Sequence, residues 1–326
     1  MSKIPVRSRG TVSCIRQIDP GRDMPAVLDL VELGFRDELD PQGWKMLHQM
    51  RRLYHSEPVS RVISSAGLET SGFVWVEAGN IVGNLSLRRA LVRQGRGRLI
   101  GNVVVHPDYR DRGIGRSLME KAIERARQER ADWIGLEVRQ DNVVADHLYQ
   151  QLGFRPVGCT EHLIRPADLR WPSYRPPSRD WRPSRPKDAD RWKALATRIY
   201  NAEQQLVLEI RTSQYAYGGL SRRLKDWLRG KREWAWVYPS NQAEIHLAAR
   251  REMDRRFRFY VWDMLMRPDL GEAGGDELSV RLLAGGRRLP SWPVVAVIQD
   301  DPVLKQTLQA LGFRPHRRLQ QMILSF

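Results

Sequence analysis

Arg110, Gly113 and Gly115 stand in the spacing R-x-x-G-x-G, just after the apolar run Leu99–Val105 and just before Ile114, Leu118, Ala122, Ile123 and Ala126. The β-branched Val103, Val104 and Val105 favour a strand. Pro107 has no N–H to give to a ladder and ends it. Apolar residues then recur at helical spacing through about Gln128. The chemistry this order implies is anion binding. The first N–H groups of a helix have no partner within it, and the helix dipole favours negative charge there. Gly113 and Gly115 let a phosphate approach the backbone, and Arg110, Arg112 and Arg116 add positive charge. The spacing matches neither the P-loop nor the dinucleotide fingerprint G-x-G-x-x-G. The ligand implied is a pyrophosphate.

The neighbouring residues narrow the choice. V-x-P-x-Y-R-x-x-G-x-G, from Val105, resembles the acetyl-CoA pyrophosphate loop of the GNAT N-acetyltransferase superfamily. After the helix comes Leu136-Glu-Val-Arg-Gln-Asp-Asn-Val-Val-Ala-Asp-His-Leu-Tyr-Gln-Gln-Leu-Gly-Phe154. It is similar to the superfamily's second motif, L-x-V-x-x-x-N-x-x-A-x-x-L-Y-x-x-x-G-F, with every specified letter present. The resemblance is clearest over 70–160 and extends over 11–165. It implies an α/β (α+β) fold, a mixed and mostly antiparallel sheet flanked by helices.

It also implies roles. Arg110, Asp111, Arg112, Gly113, Ile114, Gly115, Arg116 and Ser117 would hold the coenzyme's pyrophosphate. Val103, Val104 and Val105 would pair with its pantetheine, and a backbone N–H of that strand, that of Val105, would polarise the thioester carbonyl. Asn142 and Ala145 would lie beside the pantetheine arm. Gly101 is expected to ease a bulge that splays the motif strand from the next one, opening a gap for the coenzyme. Tyr149 is the candidate general acid for the departing thiolate, since a phenol (~10) lies near a thiol (~8.5) in pKa. Glu137 is the candidate base, acting through water. An α-amine (~7.8) is roughly a seventh free base at pH 7, against about 0.04% for a lysine (~10.4). An N-terminal amine therefore needs less help. Leu136-Glu-Val-Arg with Asn142 and Leu148-Tyr149 is most similar to the branch that acetylates the N-terminal alanine of a ribosomal protein. His106, beside Pro107 at the strand end, is read as structural.

The implied activity is acetyl-CoA-dependent transfer to a primary amine by direct attack on the thioester, the acceptor a protein N-terminal or lysine amine. Two alternatives stand: a small-molecule amine acetyltransferase of the tandem, mycothiol-synthase-like type, and a non-catalytic acetyl-CoA or nucleic-acid binding protein. No metal is expected.

Composition sets further bounds. At 326 residues the chain is long enough for two cores. No apolar run reaches membrane-spanning length and the N-terminus lacks an apolar signal core, so no membrane partner is expected. Cys14 and Cys159, at no metal or disulfide spacing, fit a reducing cytoplasm. The net charge of +16 suggests acidic partners such as coenzyme phosphates, an acidic protein, RNA or the ribosome.

In chain order, residues 1–10 are basic. Thr11–Ile18 reads as a strand and Asp19–Leu39 as a helix capped by Asp23 before Pro25. A second helix spans Pro41–Tyr54. In the resembled fold these helices cover the acceptor, which makes Phe35, Asp37 and Glu38 possible acceptor contacts. Phe73–Val76 and Ile81–Leu87 read as a hairpin around Gly79-Asn80. A basic turn with Arg89, Arg93, Arg96 and Arg98 follows. Trp133–Arg139 reads as a strand with Glu137 on the face opposite Leu136 and Val138.

Residues 165–187, with six Pro and six Arg, read as an extended linker unable to pack a core. The chain then repeats. Leu311-Gly-Phe-Arg-Pro315 copies Leu152-Gly-Phe-Arg-Pro156, and the strand Phe257–Met266 ending in Arg267-Pro268-Asp269 copies the strand ending in His106-Pro107-Asp108. The expected division is an acetyltransferase domain at 1–164 and a degenerate copy at 188–326 whose first strand begins near 181. In the copy, Gly271, Gly274 and Asp276 replace Arg110, Gly113 and Gly115, and Leu308 replaces Tyr149. An aspartate there repels phosphate, so the copy is expected to bind no acetyl-CoA.

Overall fold

The first strands along the chain are β1 (Val6–Ser8), β2 (Thr11–Gln17), β3 (Ser71–Glu77), β4 (Asn80–Arg89), β5 (Gly97–Val105) and β6 (Trp133–Arg139). Neighbours pair antiparallel from β1 to β5 and parallel between β5 and β6. The computed structural model describes residues 6–8, 11–36, 38–55, 71–92, 94–173, 175–239, 244–284 and 290–326. Asp37 and Arg93, and most of residues 1–10, lie outside them. Ala78 and Gly79 turn the β3–β4 hairpin with φ of 50° and 83°, the conformation a two-residue hairpin loop requires.

A parallel pair needs a crossover, and α3 (Ile114–Gln128) supplies it. Its Leu118, Met119, Ala122 and Ala126 are fully buried against Leu85, Ile134 and Leu136. The helix α4 (Val143–Gln151) packs on the same core through Tyr149.

On the chain before β3 stand α1 (Pro20–Phe35) and α2 (Pro41–His55), whose Met24, Leu28 and Leu47 form their own cluster. The cap of α1 differs from expectation. Asp19, not Asp23, accepts from the Gly21 N–H. Pro25 lies inside the helix, and Asp23 is 2% exposed. Its carboxylate is gripped by two nitrogens of Arg16 on β2, by Arg22 and by the Asp19 N–H. Burial pushes this carboxyl's pKa up, but those hydrogen bonds outweigh it and hold it at about 2.

The second unit repeats this order. It has β7 (Arg155–Arg165), β8 (Arg182–Pro183), α5 (Ala189–Ile199), α6 (Ala202–Val207), α7 (Leu220–Leu228) and an antiparallel trio, β9 (Lys231–Tyr238), β10 (Leu247–Asp254) and β11 (Phe259–Met266). Then α8 (Gly271–Leu283) crosses to β12 (Val294–Gln299), parallel to β11, and α9 (Pro302–Ala310) precedes β13 (Arg314–Ser325).

The compact units do not follow the repeat at its ends. The first unit comprises 1–138, 142–156 and 322–326; the second comprises 139–141 and 157–321. Strand β7, which the repeat assigns to the first half, pairs with β12 from Thr160↔Gln299 to Arg165↔Val294. Met322, from the last strand, is fully buried in the first core. Against the expected division at 164 and 188, each repeat thus gives its final strand residues to the other's unit.

The Pro/Arg-rich segment corrects another expectation, because it does pack. Trp181 is buried in the second core and donates to Glu277 at 2.7 Å. Trp171 stacks on Trp262 with ring centroids 5.3 Å apart, and Arg165 stacks on Trp171 at 3.6 Å. Proline keeps the backbone extended, but the tryptophans between the prolines carry enough apolar surface to dock it. Among the described residues no helix is long and apolar enough to cross a membrane.

Candidate active site

The site begins where two strands part. Strands β5 and β6 pair at Gly97↔Trp133, Arg98↔Ile134 and Leu99↔Gly135. Pairing stops there, although β5 runs on to Val105 and β6 to Arg139. The cause lies in β5. Against β4 its register slips: Asn84 faces Val104 but Ser86 faces Gly101, so β5 carries one extra residue. This is a bulge, and its left-handed residue is Asn102, with φ 51°, rather than Gly101. The fully buried Asn84 donates its Nδ2 to the Asn102 carbonyl at 2.9 Å and pins the bulge.

Beyond the bulge the ladder decides which groups face the gap. The His106 N–H donates to Val82 O at 2.8 Å. Alternation along an antiparallel ladder then turns Val104 toward β4, and the N–H and C=O of Val103 and Val105 toward the gap. Arg110 Nε lies 3.5 Å from Val105 O. The side chain of Val104 faces α1, where a Cβ on Gly34 would come within 2.3 Å of it.

The loop follows directly. Pro107–Tyr109 makes a short 3-10 turn, Asp111 (φ 60°) and Gly113 (φ 74°) are left-handed, and α3 starts at Ile114. Among the described residues no side chain caps that helix end, so its first N–H groups are available to an anion. Arg112 is held by Glu77 at 3.4 Å and Asp108 O at 2.9 Å, and Arg116 reaches Gln151 of α4. A Cβ on Gly115 would sit 3.9 Å from both Val105 and Leu148, so loop, strand end and α4 converge. His106 accepts from the Asp108 N–H at 3.3 Å and meets the Tyr109 ring edge-on.

Val103, Val105, Ala145 and Leu148 pack on the core that contains Ile114 and Tyr149. Tyr149 is 6% exposed, its ring 6.2 Å from Phe154, and burial pushes its phenol up to about 12. Glu137 is exposed on the opposite face of β6 from Leu136 and Val138, which line Tyr149's core. The two candidate proton-transfer groups therefore flank the sheet from opposite sides. Asn142 caps α4, its Oδ1 accepting from the Ala145 N–H at 3.1 Å. Phe35 and Glu38 are half-buried. Sequence reasoning missed Asn84; its signal is a lone amide in the apolar strand Ile81-Val-Gly-Asn-Leu-Ser-Leu87.

Residues 44–154 match the Acetyltransferase (GNAT) family. They form a GNAT domain. The chain is 31% identical over 144 residues to the mycothiol acetyltransferase of Thermobispora bispora, covering 43% of this chain and 45% of that protein. It is 42% identical over 69 residues to the ribosomal protein bS18-alanine N-acetyltransferase of Escherichia coli, covering 21% and 47%. The matches thus span about half the length of these curated relatives. At the level of fold the likeness covers nearly the whole chain. A GCN5-related N-acetyltransferase from Sphaerobacter thermophilus superposes with a TM-score of 0.60 at 15% identity, over 96% of this chain and 95% of that one. A tandem GNAT protein from the clavulanic acid biosynthesis pathway gives 0.58 at 19%, over 95% and 98%.

The second unit repeats the strand order of the first without the loop. After its 3-10 turn, Pro268–Leu270, α8 starts at once at Gly271, whereas Arg110–Gly113 intervene in the first unit. Gly274 and Gly275 are buried in α8. A Cβ would come within 2.8 Å of Leu270 and Met266 at the one, and within 2.7 Å of Thr307 at the other. These glycines serve close helix packing. Asp276 is exposed, and Leu308 is buried. Among the described residues no cluster of His, Cys, Asp and Glu could hold a metal ion.

Proposed function

We propose that the chain is an acetyl-CoA-dependent N-acetyltransferase whose single active site lies in the GNAT domain. The observation that carries this reading is the gap between β5 and β6 opening beside an uncapped helix end with three arginines. A pyrophosphate fits the N–H groups from Asp111 to Arg116, with Arg110, Arg112 and Arg116 around it, while the Ser117 N–H is already given to Gly113 O at 3.0 Å. A pantetheine amide can extend β5 through the Val103 and Val105 backbone, beside Asn142 and Ala145. The Val105 N–H then polarises the thioester carbonyl.

In this reading an amine arrives from the α1 side, where Glu137 takes its proton through water, and attacks the carbonyl directly. Tyr149 waits on the other face. With its pKa pushed up to about 12, it stays protonated at neutral pH. Full transfer to a thiolate of ~8.5 is uphill by roughly 5 kcal/mol at ~1.4 kcal/mol per unit. Its role is therefore hydrogen-bond donation as charge develops on sulfur, with solvent completing the protonation.

The acceptor is a primary amine. Similarity to a ribosomal-protein alanine acetyltransferase supports a protein N-terminus; similarity to a mycothiol acetyltransferase supports a small-molecule amine. Calorimetric titration with acetyl-CoA tests the core of the reading. One site per chain, lost in Arg110→Ala/Gly115→Asp, is the expected result. No binding refutes it, and two sites refute the idea that the second unit is inactive. Peptide N-termini, lysine peptides and small amines are then compared as acceptors.

A further inference from the structure

Helix α7 is amphipathic the wrong way round. Leu220, Leu224, Trp227 and Leu228 fall within one arc of about 100°. On an ordinary surface helix that arc faces the core. Here the four side chains are 83%, 59%, 70% and 60% exposed, and no residue of α7 is buried. The polar side holds the helix down. Arg222 pairs with both oxygens of Glu233 at 2.8 and 2.9 Å, donates to Gln214 O at 3.0 Å and lies over the Tyr217 ring. Asp226 turns the same way and is half-buried. A contiguous apolar stripe presented outward marks a binding surface.

The rim of the stripe says what covers it. Arg223 stands on one side and Lys225 on the other, with Arg229 and Arg232 beyond, all exposed. Arg222 and Lys231 are matched by Glu233 and Glu252, but the outward face of α7 carries no carboxylate. A second copy docked through this helix would set one cationic rim against another, on a chain already at +16. An anionic partner suits it. The four anchors form a ridge two turns long, edged by the small hydroxyl of Ser221 and by cations. Leucine and tryptophan between lysine and arginine is the composition of a helix lying in a lipid–water interface.

We propose that α7 is a reversible membrane-surface anchor, seating Leu220, Leu224, Trp227 and Leu228 among the headgroups of an anionic bilayer, with Arg223 and Lys225 against lipid phosphates. Lying on a bilayer needs no spanning helix, and one short stripe gives weak, reversible attachment.

The test mixes the full chain with sedimentable vesicles of phosphatidylcholine alone or with an equal part of phosphatidylglycerol. Partition at least about tenfold stronger into the anionic vesicles, falling with salt, is expected. Leu224→Ser/Trp227→Ser should remove it with the melting temperature unchanged, because both side chains already face solvent. Arg223→Gln/Lys225→Gln should lower it about twenty-five-fold, from about fivefold per charge. The proposal is overturned if the chain ignores anionic vesicles. It is overturned equally if the serine pair binds as well as the parent, since the overall charge is then responsible. A concentration-dependent dimer that the serine pair dissolves would assign the stripe to a second copy instead.

Discussion

Asn84 closes the bulge of its neighbouring strand by donating to the Asn102 carbonyl at 2.9 Å. Because a carbonyl only accepts, the amide's Nδ2 faces it and Oδ1 faces away; that Oδ1 is buried with no donor among the described residues. Such an atom costs about 1–3 kcal/mol, so stability alone does not explain an amide here. Asn84→Leu removes the orphaned oxygen and the useful donor together. Melting should stay within a few degrees, while kcat for acetyl transfer falls about tenfold and the acetyl-CoA Kd moves by less than about threefold. Thermal unfolding, calorimetry and steady-state rates separate the three. An unchanged kcat would remove Asn84 from the catalytic geometry.

Tyr149→Phe keeps the ring in the core and removes only the donor. The expected result is unchanged or raised stability with a loss of about 10²-fold in kcat. The sign of the pH effect follows from burial. A phenol held at about 12 is neutral below that value, so the rate should show no loss from Tyr149 between pH 7 and pH 10. An alkaline break near pH 10 that vanishes in the phenylalanine variant would mean that this hydroxyl is solvated.

Gly113 and Gly115 should fail differently. At Gly113 (φ 74°) a Cβ meets nothing within 4 Å, so Gly113→Ala incurs only the conformational penalty, about 1 kcal/mol, or roughly fivefold in acetyl-CoA Kd. Gly115→Asp sets a carboxylate where phosphates sit and should weaken binding more than about a hundredfold. Calorimetry measures both.

Asp23 gives the fold an acid-sensitive joint between β2 and α1. Its folded-state pKa, about 2, lies below the ordinary 3.8. The stabilisation is therefore fully present above about pH 4 and is lost as pH falls toward 2. The difference is worth about 2 kcal/mol. Asp23→Asn should lower stability by that order at pH 7 and flatten its dependence between pH 4 and pH 2, as read by urea unfolding.

Trp181→Ala should cost about 3–5 kcal/mol, since it empties a core position and leaves Glu277 without the indole donor. A spacer residue would cost nearly nothing, so one unfolding curve distinguishes the two.

The parts of this fold that follow local rules are legible in the chain. The span Trp133–Arg139 emerges with the bounds its alternation suggests, and the helix expected over Pro41–Tyr54 runs from Pro41 to His55. The anion loop is visible because it needs specific residue types at fixed spacing. What stays hidden depends on partners distant in sequence. Asp23 looks like a cap until Arg16 is placed beside it. The tryptophans at 171 and 181 look like linker residues until the second core receives them. The bulge falls at Asn102 rather than Gly101 because a side chain eighteen residues away holds it. Strand exchange at the repeat ends leaves no local mark, since either sheet accepts the same alternating pattern.

That exchange has a consequence for biosynthesis. The first unit contains the anion loop, yet Met322 fills part of its core. A ribosome moving from the N-terminus makes Arg110–Ser117 early and Met322–Phe326 some two hundred residues later, and domains ordinarily fold as they emerge. Here the unit begun first is finished last. A message broken anywhere in the second half releases a product whose loop is present but whose core is still open.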